Sequence, residues 1–542
     1  MQNSLRMLCA CALVAATATA QTALFDWNGS GASAALGTEV AAPGDLTGDG
    51  IPDFVVRENV SGVPTFRAVS GFDGSTAWAF AGTSDSVGPM AASDLNGDGV
   101  AEVIVADAPI AGGWVEARSG VDGSTVWTWP VTPGWNVSLR DAGTDLDGDG
   151  VGDVLVRMVF FWGYTEEARL LSGATGAQVN SKLTGTNGGA NTPMLLLPDV
   201  TGDGFGELVV GYSAGLPNQV GVYTSAVFTP AGSVAGPAPA IGTYHHFGLH
   251  VGEPGDLDGD GLPELAITQH VYNNAPPFPW LPPPTPKESF TRFYTRAGGV
   301  WSQLYALGSF TVHGASRFCA GVGDLDLDGR SDYALFGAPE GVHLGGVTLC
   351  SGASGAALET TPVASGIEFP RVARGGDVNL DGVPEFLWLE PYDDGAFFEA
   401  GRVRVRSWIT APSASATPLG GACGSTGGGL LTVGPPKLGA STSITWTGAP
   451  PSTFGNLAFD FAPPSATVLG GGCVFHLDLA HAATWWLLSI LTDASGAVAL
   501  NLPVPTIPLL AGAPVTVQGV LLGTASPFGF DLSQGYQTVI GY

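Results

Sequence analysis

Short apolar runs return along the chain at a nearly constant interval, each entered abruptly from a polar turn. They read "FVV" (54–56), "VIV" (103–105), "VLV" (154–156), "LVV" (208–210), "LAI" (265–267), "YAL" (333–335) and "FLW" (386–388). Runs this short, rich in β-branched and aromatic residues and bounded by Gly and Asp, predict strands. A second strand follows, as in "TFRAVSG" (65–71), "WVEARSG" (114–120) and "ARLLSG" (168–173). A Gly-containing turn then leads to a further strand, "TAWAF" (76–80) or "TVWTW" (125–129). A short strand must also precede each polar turn, as in "HHFGLHVGEPG" (245–255). Four antiparallel strands per unit of about 50 residues, repeated, predict an all-β ring of sheets, a β-propeller.

The ring needs closure. The segment "TALFDWNGSG" (22–31) looks like the outer strand "TAWAFAGTSD" (76–85), and the last unit ends at its third strand, "RVRVRSW" (402–408). The N-terminal segment is therefore expected to supply the missing outer strand, which removes an open edge. The ring is expected over residues 21–410. Residues 411–422, "APSASATPLGGA", read as a small-residue linker. Residues 423–542 carry short strand signals such as "STSITWTGA", "WWLLSIL" and "VTVQGVLLG", which predict a small β-sandwich.

The polar turns carry the candidate chemistry. Seven nonapeptides align without gaps: "DLTGDGIPD" (45–53), "DLNGDGVAE" (94–102), "DLDGDGVGD" (145–153), "DVTGDGFGE" (199–207), "DLDGDGLPE" (256–264), "DLDLDGRSD" (324–332) and "DVNLDGVPE" (377–385). Their starts lie 49, 51, 54, 57, 68 and 53 residues apart. Positions one and five are Asp, position six Gly, position three Asp, Asn or Thr, and position nine a carboxylate. Alternate oxygens in a tight turn can converge on a hard cation, and Gly at position six admits the backbone conformation this needs. A dication would also relieve the repulsion among the carboxylates. Solvated Asp-Gly turns are the alternative for any single copy.

The expected ligand sets take side chains at positions one, three, five and nine and the carbonyl at seven. They are Asp45, Thr47, Asp49, Ile51, Asp53; Asp94, Asn96, Asp98, Val100, Glu102; Asp145, Asp147, Asp149, Val151, Asp153; Asp199, Thr201, Asp203, Phe205, Glu207; Asp256, Asp258, Asp260, Leu262, Glu264; Asp324, Asp326, Asp328, Arg330, Asp332; and Asp377, Asn379, Asp381, Val383, Glu385. An EF-hand would need an acid at position twelve. Here that position is apolar throughout, from Val56 to Trp388, so the loop closes at position nine.

On these residues the chain resembles the FG-GAP repeat family, the calcium-bearing propellers of integrin α chains and many secreted bacterial proteins. Phe247-Gly248 and Phe336-Gly337-Ala338-Pro339 carry the motif's name. The resemblance implies a seven-bladed ring with up to seven calcium ions, each between the first and second strands of a blade. Leu327 and Leu380 depart from it, replacing Gly at position four, and Arg330 is expected to bring a cation close to the sixth site. Residues 423–542 also resemble a C-terminal module of secreted, planctomycete-like bacterial proteins, to which no activity attaches.

Charge and composition narrow the partners. Of 542 residues 19 are Lys or Arg and 48 Asp or Glu, a formal charge of -29. That disfavours nucleic acid and anionic membranes. The start, "MQNSLRMLCACALVAATATAQ", reads as a secretory signal cleaved near Ala20, with a lipobox ending at Cys11 as a lesser reading. No later run has transmembrane length without polar, Pro or Gly breaks. The protein is expected to be secreted or at the cell surface. Cys423 and Cys473 are then a candidate disulfide. Cys319 and Cys350, on first and third strands about 9.5 Å apart, are expected to stay thiols.

No catalytic constellation stands out. His245, His246 and His250 cluster on an expected first strand, with a structural role favoured over a catalytic one. The turns "SGFDGSTAW" (70–78) and "SGVDGSTVW" (119–127) faintly resemble the Gly-turn-Trp pattern of quinoprotein propellers, but hairpin turns followed by a packing aromatic are the favoured reading. The long loop within "HVYNNAPPFPWLPPPTPKESF" (270–290) offers Tyr272, Phe278 and Trp280 either as a carbohydrate or protein contact or as a self-packed cap. The expected function is a calcium-binding extracellular binding or adhesion module. A polysaccharide-active, lyase-like enzyme and a structural cell-envelope component are the alternatives.

Overall fold

The computed structural model describes residues 22–541 except 110, 161–164, 186–191, 212–218, 239–242, 273–287, 298, 309–317, 338–345, 363–370, 391–399, 409–413, 426, 471, 506, 508 and 509. The fold is all-β. Among the described residues, residues 22–407 form seven four-stranded antiparallel sheets. In the first, Val40–Gly44, Asp53–Val60, Val63–Val69 and Thr76–Ala81 run from the inside outwards. The next five repeat that order. The seventh takes Arg371–Gly376, Glu385–Glu390 and Arg402–Ser407 from its own unit and Thr22–Asn28 from the N-terminus. Thr22 lies opposite Ser407 and Asn28 opposite Arg402, so the two ends of the ring are fastened within one sheet, as expected.

The inner strands establish that the sheets form a ring. Val40–Gly44 touches Ser86–Ala91, which touches Trp135–Thr144. The contacts pass on through Met194–Leu197, Tyr244–Gly252 and Phe318–Gly323 to Arg371–Gly376, which returns to Val40–Gly44. The apolar core is divided accordingly, with a cluster at each of the seven junctions. Each second strand therefore opens with an apolar run that is buried on both faces. Val103–Asp107 and Glu385–Glu390 are buried along their whole length, whereas the outer strand Thr76–Ala81 is mostly exposed.

Outer-strand aromatics join neighbouring sheets. Trp78 Nε1 donates to the carbonyl of Gly120 in the next sheet at 2.6 Å, and Trp127 Nε1 to that of Gly173 at 2.6 Å. Tyr305 does the same with its hydroxyl, to Gly352 at 3.0 Å. The indoles of Trp78 and Trp127 lie where a Cβ on Gly123 or Gly176 would stand, so these turns admit only Gly. The Gly-turn-Trp pattern is thus a device for docking sheet on sheet.

Beyond residue 413 lie a six-stranded sheet, a three-stranded sheet and the small hairpin Thr467–Gly470/Cys473–Phe475. Leu431, Ile444 and Trp446 of the three-stranded sheet share one core with Leu457, Phe459, Val517 and Leu521 of the larger. The expected linker needs correction. Ser415–Gly420 is a strand of the six-stranded sheet, paired with Gly535–Val539. Its small residues and Pro418 suit an edge strand as well as a linker, and composition does not separate the two. Cys423 and Cys473 form a disulfide with Cα atoms 5.2 Å apart, while Cys319 and Cys350 are free thiols.

Trp127→Phe keeps the ring but loses its bond to Gly173. It is expected to cost about 1–2 kcal/mol, the net worth of a buried hydrogen bond plus its unsatisfied acceptor, read as a lower melting temperature. An unchanged melt would show that the indole N–H does not couple the sheets.

Candidate metal sites

Each acidic nonapeptide joins a first strand to a second and is folded by the same three contacts. The position-one Asp accepts the position-six Gly N–H in all seven loops, at 2.7–2.9 Å, from Asp45 with Gly50 to Asp377 with Gly382. The position-five Asp accepts the N–H of position seven, at 2.8–3.0 Å. The position-nine carboxylate reaches back to the N–H of position two, at 2.5–2.9 Å. Position two, Leu or Val, is buried in the core between its own sheet and the next, as Leu46 is beside Val55 and Val103. Where position nine is Asp, its other oxygen takes the N–H of a turn glycine: Gly71 for Asp53, Gly173 for Asp153 and Gly352 for Asp332.

The turn requires left-handed backbone at positions four and six. Position six is Gly everywhere, with φ of 85–91°. Position four is Gly in five loops, and in the others Leu327 and Leu380 are held at φ 59° and 56° with exposed side chains. The two departures keep the fold of the loop at a local cost of about 1–2 kcal/mol each.

In five loops this folding brings three carboxylate oxygens within 4.8 Å of one another. They belong to Asp94, Asp98 and Glu102; Asp145, Asp147 and Asp153; Asp199, Asp203 and Glu207; Asp256, Asp258 and Asp260; and Asp324, Asp326 and Asp332. The first and seventh loops do not reach that convergence. The Asn379 Nδ2 instead donates to Asp381 at 2.9 Å, and Asn96 Nδ2 to Asp98 at 2.9 Å and Glu102 at 2.7 Å. Thr201 Oγ1 lies 3.4 Å from Asp199, and Thr47 contributes its N–H to Asp53 at 2.8 Å. Among the described residues no ion pair engages a loop carboxylate.

Arg330 differs from expectation. Its guanidinium turns to the preceding loop and donates to the Leu257 carbonyl at 3.1 Å, while Ser331 N–H donates to the Asp256 carbonyl at 2.8 Å. It ties loop to loop. Gly206 N–H makes the equivalent link to the Asp145 carbonyl at 2.9 Å.

The donor set fits a hard dication. The clustered carboxylate oxygens are acceptors, and the second oxygens of Glu207 and Glu385 are buried with no well-formed hydrogen bond. Burial raises the position-nine carboxyls above the ordinary carboxylate range. Asp153, Glu207 and Glu264 are pushed to about 7, Asp332 to about 6 and Glu385 to about 8, and the neighbouring loop carboxylates add to the shift. Asp94 and Asp199 behave oppositely. Burial opposes their charge, but backbone N–H donors, joined at Asp199 by the Thr201 side chain, outweigh it and hold them low. In the second and fourth loops the geometry thus places a protonatable acid on the buried side of the turn and an ionised one on its rim.

The other candidates are placed differently. Tyr272 is a correction: it ends the buried strand Leu265–Tyr272, 3 % exposed, packed against His246 and His270. Phe278 and Trp280 lie outside the described residues. His250 packs on Phe318 with ring centroids 4.5 Å apart, and His245 sits among Gln269, Thr243 and the Pro237 carbonyl. Burial lowers the pKa of His246. Among the described residues no histidine joins an acidic cluster.

Comparison with known proteins agrees with the repeat. The profile of the FG-GAP-like repeat matches residues 45–105, and no curated protein matches the chain. Among solved structures, BBS1N in complex with ARL6DN, soaked with mercury, is 11 % identical, covers 72 % of this chain and 97 % of its own, and has a TM-score of 0.43. A fungal alcohol oxidase of the AA5 family in complex with copper is 12 % identical over 96 % and 99 %, with a TM-score of 0.40. At these scores neither carries an argument about function.

Two outcomes follow from the loop geometry. In chelator, stability should fall as pH rises from about 5 to 8. The folded state holds protons that unfolded carboxyls release near pH 4, so ionisation penalises the folded state across that window. Melting temperature against pH checks this, and saturating calcium should flatten the slope. Separately, Leu327→Gly should stabilise the fold and Gly259→Leu destabilise it, by about 1 kcal/mol in each direction, read as a higher and a lower melting temperature.

Proposed function

We propose that the chain is an exported β-propeller whose acidic loops bind calcium, and that it serves as an extracellular binding or adhesion module for carbohydrate or protein. The observation that carries this reading is the convergence of three carboxylate oxygens within 4.8 Å in five equivalent turns, beside carboxyls whose ionisation burial opposes. Calcium would be held by the side chains of positions one, three, five and nine, and its charge would offset theirs. With the acids neutralised, the turn between first and second strands becomes rigid, and the face of the ring that carries the loops becomes a fixed surface. An affinity of about 10⁻⁴–10⁻³ M, usual for extracellular modules, suits such a role. The third, fifth and sixth loops, with Asp147, Asp258 and Asp326 at position three, are the strongest sites, and the first and seventh the weakest. The packing of His246 on Tyr272 and of His250 on Phe318 supports a structural part for them rather than a catalytic one.

Chelation should lower the melting temperature and calcium restore it. The gain is about 1.4 kcal/mol per site at a calcium concentration ten times Kd. The combined substitution Asp147→Asn, Asp258→Asn and Asp326→Asn should remove most of that gain. Glycan and matrix-protein arrays probed with and without calcium test the binding role. A melt indifferent to chelator would refute the metal reading, and arrays blank in both conditions would refute the adhesion reading.

A further inference from the structure

The C-terminal six-stranded sheet ends on the strand Trp486–Leu491, which pairs on one side with Phe454–Asp460. Among the described residues no strand pairs with its other side. The strand, "WLLSIL", has no charge, proline or glycine, the devices that normally blunt a sheet edge. Leu487 and Leu491 are 55 % and 66 % exposed.

The direction of its backbone groups follows from the register. Thr492 N–H donates to the Thr453 carbonyl at 3.0 Å, so residues 490, 488 and 486 also turn their N–H and C=O inwards. Those of Leu487, Ser489 and Leu491 face the open side. The neighbouring pairing has the same parity: opposite Leu457, Gly519 turns away and accepts from Ser533 N–H at 2.9 Å.

The sequence of this edge is complementary to itself. An antiparallel copy centred on Ser489 places Ser489 opposite Ser489, Leu487 opposite Leu491 and Leu488 opposite Ile490. Every pair matches in polarity and in face, and each outward N–H meets an outward C=O. Charge does not oppose the pairing. Residues 414–542 hold only Lys437, Asp460, Asp478, Asp493 and Asp531 as charged side chains, while the acidic excess lies in the ring.

We propose that this edge is the docking surface for a second copy of the chain, joining two C-terminal sheets across a two-fold axis at Ser489. The partner is the same strand, antiparallel, held by main-chain hydrogen bonds and by Leu487–Leu491 contacts. Sedimentation velocity of the full chain, from dilute to concentrated solution, should show a monomer–dimer equilibrium. Ser489→Pro removes an N–H that serves only the open side and should weaken dimerisation by about tenfold or more, the loss of one or two net hydrogen bonds. Leu487→Lys with Leu491→Lys, on exposed positions, should abolish it with an unchanged melting temperature. A protein that stays monomeric at all concentrations, or a dimer that both variants leave intact, overturns the proposal. So does occupation of the edge by a different, extended peptide in place of the second copy.

Discussion

The contact on which the ring depends is the bond from a buried position-nine carboxylate to the N–H of position two. It recurs in every acidic loop, from Asp53 with Leu46 to Glu385 with Val378. It closes the turn between first and second strands. It also fixes the apolar side chain of position two, which fills the junction with the next sheet. One bond therefore couples the acid turn to the packing between sheets. The same residue opens the second strand, so the turn, the strand and the junction share a single anchor.

This coupling concentrates charge. Half of the 48 acidic residues stand at positions one, three, five and nine of the seven loops. Backbone N–H donors meet both the rim and the buried carboxylates, but burial opposes the charge of the buried ones. The core itself is ordinary: each junction buries aliphatic and aromatic side chains of two neighbouring sheets.

Much of this was legible in the residues. The Asp-Gly spacing marks the turns, the apolar runs mark the second strands, and "TALFDWN" betrays the N-terminal closure because it repeats the pattern of an outer strand. What was not legible depends on tertiary contact. Tyr272 reads as the start of an exposed loop, yet it is the last residue of a buried strand and His246 packs against its ring. Arg330 reads as a misplaced cation, yet the carbonyl that receives it belongs to a loop 73 residues earlier. Residues 415–420 read as linker because edge strands tolerate the small residues and proline that linkers favour. The outer-strand tryptophans did carry a signal, their fixed distance after a Ser-Gly turn, but its meaning requires knowing that the bonded glycine belongs to the next unit.

The two regions differ in the charge around their sheet edges. In the ring, Thr22–Asn28 completes the last sheet as its outer strand, and neighbouring sheets pack face to face. The ring carries most of the negative charge, which opposes close approach of two rings. The C-terminal sheet has little charge, and its edge at Trp486–Leu491 keeps hydrogen-bonding groups and leucines exposed. Repulsion in one region and an open, self-complementary strand in the other direct association to the C-terminal region.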